Sequence, residues 1–542
     1  MKTIKLKRAE ICAVLSTSLF LLSGIYILNN GHPHEDAYIL FIFSEILSNT
    51  GIISFFENGP NAEGATDFLW MLLISAMNFL GIDAALSALL LNTCGIFLIS
   101  HLIFTQIENY SGGVLLLSFY IIIIPIYLIS ISAYGGFSTG FYSAIVLWLF
   151  VTIFQGDAKH IVLVPLISIL IGLIRPDGVI IGVVSTWGAF YLCKGHFLKN
   201  YIVNILISII IGLAYFLWRW RYFGEFLPLP LIVKSETDVT FPGLSPNIQW
   251  LKINAMLTLM SLLLLFSSKI DRPRLLLAVA PTIILVIALT FAMQSQNVAY
   301  RFQAPLSAIL LFTSATTLSL FREAAIGNNT KNFIWILFIS IFGTVHIWYH
   351  AEKYIVNLSY LTNEDYINFF PFHLAKTLSS DTRVVLTEAG RMAYWIPGEK
   401  YDLVGLTTAY TATNGADPKY IDELNPDIIF IHVAGTIDYD CGNVDFCQVN
   451  NEKFLSIIEK TNSETFASIR NRVVRAPLVT YAFLTTHLEE FDLIFVRYAK
   501  YFNHFYAIKK DGTVSLEDFK SALSLSFSDE GQLSYWDMTY SK

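Results

Sequence analysis

The chain has 542 residues, of which 54% are hydrophobic and only 14% are charged, and its mean hydropathy is +0.56. Soluble proteins carry about 25% charged residues, so this composition is that of an integral membrane protein. The formal net charge is −7 and no dense run of lysine or arginine occurs. We therefore expect a lipid bilayer around the chain and no nucleic acid partner.

The first apolar segment follows a basic start that contains Lys2, Lys5, Lys7 and Arg8. Such a segment could be a cleaved signal peptide. However, no small-x-small cleavage site follows it and further apolar segments come after, which favours an uncleaved first span. The basic residues then mark the cytoplasmic side, and the loop over 30–67 lies outside.

Further apolar segments follow, each compared with the roughly 20 residues that a helical span requires. They cover 68–82, 84–104, 114–131, 140–154, 161–193, 200–218, 251–267, 275–293, 303–321 and 333–350. If 161–193 crosses once, the later lysine and arginine clusters fall inside and the count is about eleven spans. The sequence "RPDG" at 175–178 interrupts that segment, so it could instead be two half-helices.

After about residue 355, charged residues become frequent and strand-like runs such as "RVVLTEAG" alternate with helix-compatible stretches. The sequence therefore predicts a transmembrane domain over 1–355 and a soluble α/β domain over 356–542. An odd number of spans places this second domain outside the cytoplasm. Cys441 and Cys447 are its only cysteines, and an oxidising compartment would allow them to pair or leave them free.

An acidic pair, Glu35 and Asp36, follows the first span in "GHPHEDAYIL" and opens a stretch that suits a helix at the membrane surface. Asp36 could be the N-cap of this helix. Alternatively, Asp36 could act as a general base with Glu35 as its helper, because a carboxylate beside a low-dielectric wall can have a raised pKa. Both roles are compatible.

Two histidines, His32 and His34, precede the acidic pair. Imidazole and carboxylate groups together are suitable ligands for a divalent cation. The spacing is unspecific, and solvated loop histidines are the alternative. A metal is therefore a weak expectation.

Cationic residues gather in two other predicted outer loops. Arg219, Arg221 and Lys234 lie among aromatic residues and prolines, and Arg301 begins a later span. They could anchor helix ends by snorkelling, or they could converge on a phosphate group. Arg175 and Asp177 flank the proline break, where we expect them to pair and form a secondary site candidate. The stretch "GGFSTG" at 135–140 lacks the strand and lysine of a phosphate-binding loop.

The stretch from 34 to 73 resembles the GT-C superfamily of membrane glycosyltransferases. The resemblance is to the branch of mycobacterial terminal arabinofuranosyltransferases and their uncharacterised bacterial relatives. The matching residues are Glu35, Asp36, Ala37, Tyr38, Ile39, Asn58, Gly59, Pro60, Glu63, Gly64, Thr66, Leu69 and Trp70. "RPDG", "YFGEFLPLPLIVK" at 222–234, "YRFQAP" at 300–305 and the turn-rich start of the outer domain look like the family in the right order.

The resemblance implies a polyprenyl-phosphate sugar as donor, a cell-envelope glycan or glycolipid as acceptor, and an external site in a bacterial inner membrane. Asp36 would be the base and Glu35 would orient it. Lys234, Arg301, Arg219, Glu63, Arg175 and Asp177 would bind the donor phosphate or the substrate. No cofactor is certain, although a divalent cation fits His32 and His34.

The chain departs from the family where two aspartates become Glu35 and Asp36, and where Pro228 begins "PLPLIVK". These departures weaken any transfer of sugar specificity. Two other functions stay open. An O-antigen-type polymerase or ligase would use arginine- and histidine-rich loops, and a lipid-linked sugar transporter would need internal repeats.

Overall fold

The computed structural model describes most of the chain, with short gaps. The described ranges are 7–110, 112–195, 197–235, 241–294, 296–362, 365–434, 439, 441–460, 471–499 and 502–540. The first part is helical and the second part contains a sheet. This division agrees with the expected order of a membrane domain followed by an α/β domain.

The helical part runs from α1 to α17. The first ten helices are α1 (Arg8–Asn30), α2 (Glu35–Thr50), α3 (Phe68–Phe79), α4 (Ala84–Asn109), α5 (Gly113–Ile126), α6 (Leu128–Tyr134), α7 (Thr139–Gln155), α8 (Ala158–Ile161), α9 (Val164–Ile174) and α10 (Gly178–Phe190). The others are α11 (Phe197–Phe223), α12 (Leu229–Ser235), α13 (Leu244–Ile253), α14 (Ala255–Leu263), α15 (Arg272–Thr290), α16 (Ala304–Ala325) and α17 (Asn329–Leu361).

In the described part of the chain, 7 helices are long and apolar enough to cross a membrane, or 8 if the bent pair α13 and α14 counts as one. The protein is therefore a multi-pass membrane protein. Counted by this length criterion, the spans are fewer than the expected number of about eleven, because α3, α7, α9 and α10 are shorter apolar helices.

The segment expected to cross at 68–82 has a different course. Its helix, α3, has 12 residues and is about 18 Å long, whereas the hydrocarbon core is about 30 Å thick. Before it, Gly64 lies against the backbone of Leu406, and after it Asp83 accepts a hydrogen bond from Tyr535. Leu406 and Tyr535 both belong to the C-terminal domain, so the two ends of α3 lie on one side of the helical part.

The segment expected to cross once at 161–193 is a helical hairpin. Residues 175–177 end α9, and α10 then runs back along it, with Gly182 against Ser168 and Thr186 donating to Ser168 at 3.1 Å. Arg175 is extended, with φ −145° and ψ 141°, as the residue before a proline prefers, and this ends α9. The segment therefore contains two helices, one on each side of the break, rather than one continuous span.

The C-terminal domain is an α/β domain, as expected. Its strands are β1 (Arg383–Leu386), β2 (Glu399–Asp402), β3 (Ile428–Ala434), β4 (Phe446–Gln448), β5 (Phe491–Ala499) and β6 (Phe502–Lys509). Its helices are α18 (Phe370–Ala375), α19 (Arg391–Trp395), α20 (Ala409–Asn414), α21 (Pro418–Leu424), α22 (Asn451–Lys460), α23 (Arg472–His487), α24 (Leu516–Phe527) and α25 (Tyr535–Tyr540).

The sheet is mixed, with strand order β2-β1-β3-β6-β5-β4. The neighbours β2, β1 and β3 are parallel, and β3, β6, β5 and β4 pair antiparallel. Cys441 and Cys447 form a disulfide beside β4, with their Cα atoms 5.7 Å apart. The pairing that an oxidising compartment would allow is therefore present in the structure.

Polar contacts fasten the C-terminal domain to the helical part. In α25, the backbone N–H of Tyr535 donates to the carbonyl of Gly31 at 3.1 Å, and its hydroxyl donates to Asp83 at 2.8 Å. In α19, the Tyr394 hydroxyl donates to Glu45 of α2. Because these contacts surround the beginning of α2, the acidic pair lies in the junction between the two domains.

Candidate active site

A cavity of about 450 Å³ lies where the ends of several helices meet the C-terminal domain. It is lined by α2, by α12, by the tip of the α9–α10 hairpin and by the loops before α3, α7 and α16. Leu406 of the C-terminal domain lines one side. The charged lining residues are Asp36, Asp67, Arg175, Asp177, Lys234 and Arg301. Four of these six are among the site residues predicted in separate segments of the sequence as substrate ligands, Asp36 was the predicted base, and Asp67 was not predicted.

Asp36 faces the cavity from the first turn of α2. The N-cap of this helix is His34, whose Nδ1 accepts a hydrogen bond from the backbone N–H of Asp36 at 3.2 Å. The expectation that Asp36 caps the helix is therefore wrong. Its carboxylate is left for the cavity, where 25% of the side chain is exposed.

Arg301 is the direct partner of Asp36. Its Nη2 donates to Asp36 Oδ2 at 3.3 Å, and its guanidinium stacks over Phe137 at 3.9 Å from the ring centroid. The arginine side chain is only 11% exposed. Burial against an aromatic face fixes the guanidinium at the cavity wall beside the carboxylate.

Lys234 reaches the cavity from α12. Burial lowers the pKa of its ammonium group, and the nearby Arg301 and Arg175 lower it further, whereas Asp36 and Asp67 act in the opposite direction. No carboxylate in the described part of the chain forms an ion pair with it. A half-buried cation of this kind is suited to an anionic ligand rather than to anchoring a helix end.

The tip of the α9–α10 hairpin carries an ion pair, as expected from its sequence. Arg175 donates from Nε to Asp177 Oδ1 at 3.0 Å and from Nη2 to Oδ2 at 3.2 Å. The arginine is also held over the ring of Tyr142 at 5.0 Å. The pair keeps a second guanidinium at the cavity wall.

Asp67 is a site residue that the sequence analysis missed. It lies just before α3, lines the cavity and accepts a hydrogen bond from the Ser138 hydroxyl at 2.6 Å. Its position inside "EGATDFLW", between residues that carried the family resemblance, was the signal available. Ser138 belongs to "GGFSTG", which is no phosphate-binding loop but does contribute Gly136, Phe137 and Ser138 to the wall.

Glu63 and Arg219 form a buried ion pair that does not line the cavity. Arg219 Nε donates to both carboxylate oxygens of Glu63, at 2.9 and 2.7 Å, and Nη1 donates to the carbonyl of Phe226 at 2.7 Å. The guanidinium of Arg219 thus donates to acceptors within the protein through all three of its nitrogens. These two residues therefore lie outside the cavity lining, and their ion pair fastens the first loop to the end of α11.

Glu35 turns away from the cavity towards the C-terminal domain. Its carboxyl group hydrogen-bonds that of Glu388, and His432 Nδ1 contacts the other side of Glu388. Gly390 permits this approach, since a Cβ there would lie 2.6 Å from Glu35 Cγ. Burial raises the pKa of both glutamates, and it lowers the pKa of His432 to about 4.

The expected metal candidates are not arranged as a metal site. His32 is buried with its ring against Phe369, and His34 is occupied as the N-cap of α2. Within the described ranges, no three His, Cys, Asp or Glu side chains come together in a geometry for a metal ion. Burial lowers the pKa of His32 to about 3 and that of His34 to about 4, so both rings are neutral.

The cavity thus combines three carboxylates, of which Asp36 is paired with Arg301, Asp177 with Arg175 and Asp67 with the Ser138 hydroxyl, with three cations inside a largely apolar wall. Such an arrangement can accept a proton from a hydroxyl group and stabilise the negative charge of a departing phosphate. In a water-poor cavity, fixed charges act more strongly than they do in bulk water.

Comparisons with known proteins bear on the fold. Residues 350–487 match a family model described as a domain of unknown function, DUF8728. No curated protein sequence matches the chain significantly. Among solved structures, ArnT from Cupriavidus metallidurans in the apo state superposes with a TM-score of 0.53 at 11% identity, covering 78% of this chain and 92% of ArnT. ArnT is a membrane glycosyltransferase of the GT-C family.

The chain shares the fold of ArnT. The superposition covers most of both chains, so the likeness includes the helical part and the sheet domain rather than one of them. At 11% identity the likeness concerns the fold alone. Function has to be argued from the cavity.

Proposed function

We propose that this protein transfers a glycosyl group from a polyprenyl-phosphate sugar to a glycan or glycolipid acceptor at the outer face of a bacterial inner membrane. The observation that carries the proposal is the convergence of Asp36 with Arg301, Lys234 and Arg175 on one cavity. The GT-C-type fold and the first-loop motif support the same assignment.

The donor is assigned from charge and position. The cavity lies at the helix ends, where a lipid phosphate can meet Lys234 and Arg301 while its chain stays among apolar helices. Lys234 supplies a cation that has no ion-pair partner among the described residues. Arg301 becomes available when the phosphate competes with Asp36 for its guanidinium.

The proposed reaction joins the acceptor oxygen to the anomeric carbon of the sugar, and the bond from that carbon to the phosphate oxygen breaks. The acceptor hydroxyl loses its proton to Asp36 Oδ2. The polyprenyl phosphate leaves with one more negative charge, which Arg301 and Lys234 stabilise. A donor phosphate that accepts a hydrogen bond from Arg301 competes with Asp36 for the guanidinium and leaves Asp36 Oδ2 available to the acceptor hydroxyl.

The membrane topology belongs to the same proposal. With α7, α9, α10 and the bent pair α13–α14 as crossings and α3 at the surface, the helices again make eleven passes. Arg274 near Gln155 and Lys269 near Glu323 then mark the side away from the cavity, in agreement with the excess of positive charge expected in the cytoplasm. The C-terminal domain and the cavity lie outside.

The test is transfer by the purified full chain in vesicles. A panel of polyprenyl-phosphate pentoses and hexoses supplies the donors, because the departures from the family motif leave the sugar open. Membranes from the source organism supply the acceptor. Release of polyprenyl phosphate that depends on Asp36 supports the proposal, and Asp157→Asn at an exposed helix cap is the matched control. Transport of intact donor without cleavage, or use of only pyrophosphate-linked oligosaccharides, would contradict it.

A further inference from the structure

A second cavity, of about 420 Å³, lies on the other side of the loop that carries Arg301. Residues 291–294 and 301–302 of this loop line the first cavity, whereas 297, 299 and 300 line the second. The remaining walls come from α6, α13 and α17. Both volumes fall in the range of about 300–1,000 Å³ that small-molecule sites occupy.

The lining of the second cavity is rich in amide, phenol and ammonium groups. It comprises Gln249, Asn297, Tyr300, Lys353 and Asn357, with Leu128, Pro246, Ile253 and Ala299 as the apolar part. Several amide groups beside an aromatic ring can hydrogen-bond hydroxyl groups and cover an apolar sugar face. Lys353 has no carboxylate partner in the described ranges, and its nearest partner is the ring of Tyr349 at 5.8 Å.

The loop between the cavities has an unusual backbone. Gln296, Ala299 and Tyr300 have φ values of 54°, 47° and 58°, in the left-handed region that non-glycine residues seldom adopt. The side chain of Asn297 holds the loop together, since it donates to Gln294 and Gln303 and accepts from the backbone N–H of Phe302. Surrounding structure must hold such a strained loop, which is a feature of ligand clamps.

We propose that the second cavity binds the saccharide part of the acceptor, with an anionic group of that acceptor at Lys353. The proposal rests on the proposed glycosyl transfer and adds the place and the chemical class of its second substrate. Tyr300 and Arg301 are adjacent, so a saccharide against Tyr300 lies beside the residue that pairs with Asp36. Gln249 Oε1 accepts from the Tyr300 hydroxyl at 3.3 Å and Asn357 Nδ2 donates to the carbonyl of Lys353 at 2.7 Å, so each amide offers a ligand its remaining hydrogen-bonding positions.

Photocrosslinking in native membranes tests the site without knowledge of the acceptor. The full chain carries p-benzoylphenylalanine at position 300 and, in a second protein, at position 353. The matched control carries it at Trp348, which is 68% exposed on the same helix as Lys353. After irradiation, the adducts are identified by mass spectrometry.

Adducts with saccharide masses at 300 or 353, and not at 348, are the expected result. A saccharide with attached lipid identifies a glycolipid acceptor, and one without lipid identifies a free glycan. Phospholipid adducts alone, or crosslinks only within the protein at both positions, would overturn the proposal. This result does not depend on turnover, so it can stand or fall separately from glycosyl transfer.

A kinetic measurement addresses Lys353 directly. Lys353→Gln is expected to raise the acceptor concentration for half-maximal transfer about tenfold, the effect of one charge-assisted hydrogen bond. Donor affinity and donor hydrolysis in the absence of acceptor stay unchanged. Lys331→Gln, at the other end of α17, is the control. An unchanged acceptor dependence in a folded Lys353→Gln protein would count against the site.

Discussion

Glu35 and Asp36 are consecutive residues, yet their carboxyl groups lie in different surroundings. Asp36 faces the cavity and meets Arg301 at 3.3 Å, whereas Glu35 hydrogen-bonds Glu388 in the junction with the C-terminal domain. Consecutive residues of a helix point about 100° apart, which separates the two groups. Asp36 is therefore placed at the cavity, and Glu35 is placed in the junction with the C-terminal domain.

Asp36→Asn is expected to leave donor binding nearly intact and to lower kcat by roughly two to four decades, as loss of a general base does. Because His34 caps α2, the substitution leaves the helix cap in place. Glu35→Gln should retain far more activity. Single-turnover transfer with purified proteins measures both, and near-normal turnover by folded Asp36→Asn would remove Asp36 as the base.

Lys234→Ala and Arg301→Ala are expected to weaken donor binding as well as turnover, since the phosphate carries charge before and during the reaction. The expected loss of affinity is about tenfold for each, the size of one charge-assisted hydrogen bond. Titration with donor, followed by tryptophan fluorescence, provides the measurement. Lys199→Ala serves as a control for a distant lysine. Unchanged donor affinity in both variants would place the phosphate elsewhere.

Glu63→Gln is expected to destabilise the protein by about 3 kcal/mol, because it leaves Arg219 buried without its counter-charge. The change should lower the unfolding temperature in detergent without abolishing donor binding at the separate cavity. Glu57→Gln, in the same loop, is the exposed control. If Glu63→Gln were as stable as the wild type but failed to bind donor, the residue would instead contact substrate.

Stability is expected to fall as pH rises above the ordinary glutamate range. The Glu35–Glu388 pair has raised pKa values in the folded protein, so folding retains a proton that the unfolded chain loses. Stability is then lost between the unfolded pKa and the raised folded pKa. Glu388→Gln should flatten this decline, with unfolding temperature against pH as the measurement.

The same measurement distinguishes the effect of the glutamate pair from that of His432. Burial lowers the pKa of His432 to about 4, so the folded protein resists protonation of this ring. The ring therefore lowers the stability of the fold as the pH falls from about 6.5 towards 4, and it has no effect on the decline at higher pH. The guanidinium of Arg391 lies near both glutamates. A slope above the glutamate range that is equal in the wild type and Glu388→Gln would show that the pair shares no proton.

Cysteine labelling tests the topology. A cysteine at position 199 is expected to be protected from a membrane-impermeant maleimide in intact cells, and one at position 381 is expected to react. Asp381 lies in the exposed turn before β1. Reaction at 199, or protection at 381, would reverse the proposed orientation.

Sequence patterns predicted the helical part, the α/β domain and five of the six charged residues that line the cavity, because hydrophobic length and isolated charges among apolar residues are local signals. The course of α3 could not be predicted this way. Its apolar segment is nearly long enough for a span, and only its contacts with Leu406 and Tyr535 show that both ends share a side.

The different surroundings of the Glu35 and Asp36 carboxyl groups also could not be predicted from the sequence. Both acids had the same neighbours in the chain, and the partners that distinguish them, Glu388 and Arg301, are more than 250 residues away. The role of His34 as N-cap displaced the expected role of Asp36 for a similar reason, since histidine is a less common cap than aspartate.

The contact of α25 with the helical part also sets an order of events during synthesis. Tyr535, which holds Gly31 and Asp83, follows every other element of the fold in the chain. The helices around the cavity must therefore be inserted and packed before this fastening can form. Until α25 has formed, only the remaining junction contacts hold Leu406 against the cavity. The cavity of a nascent chain is therefore looser than that of the folded protein.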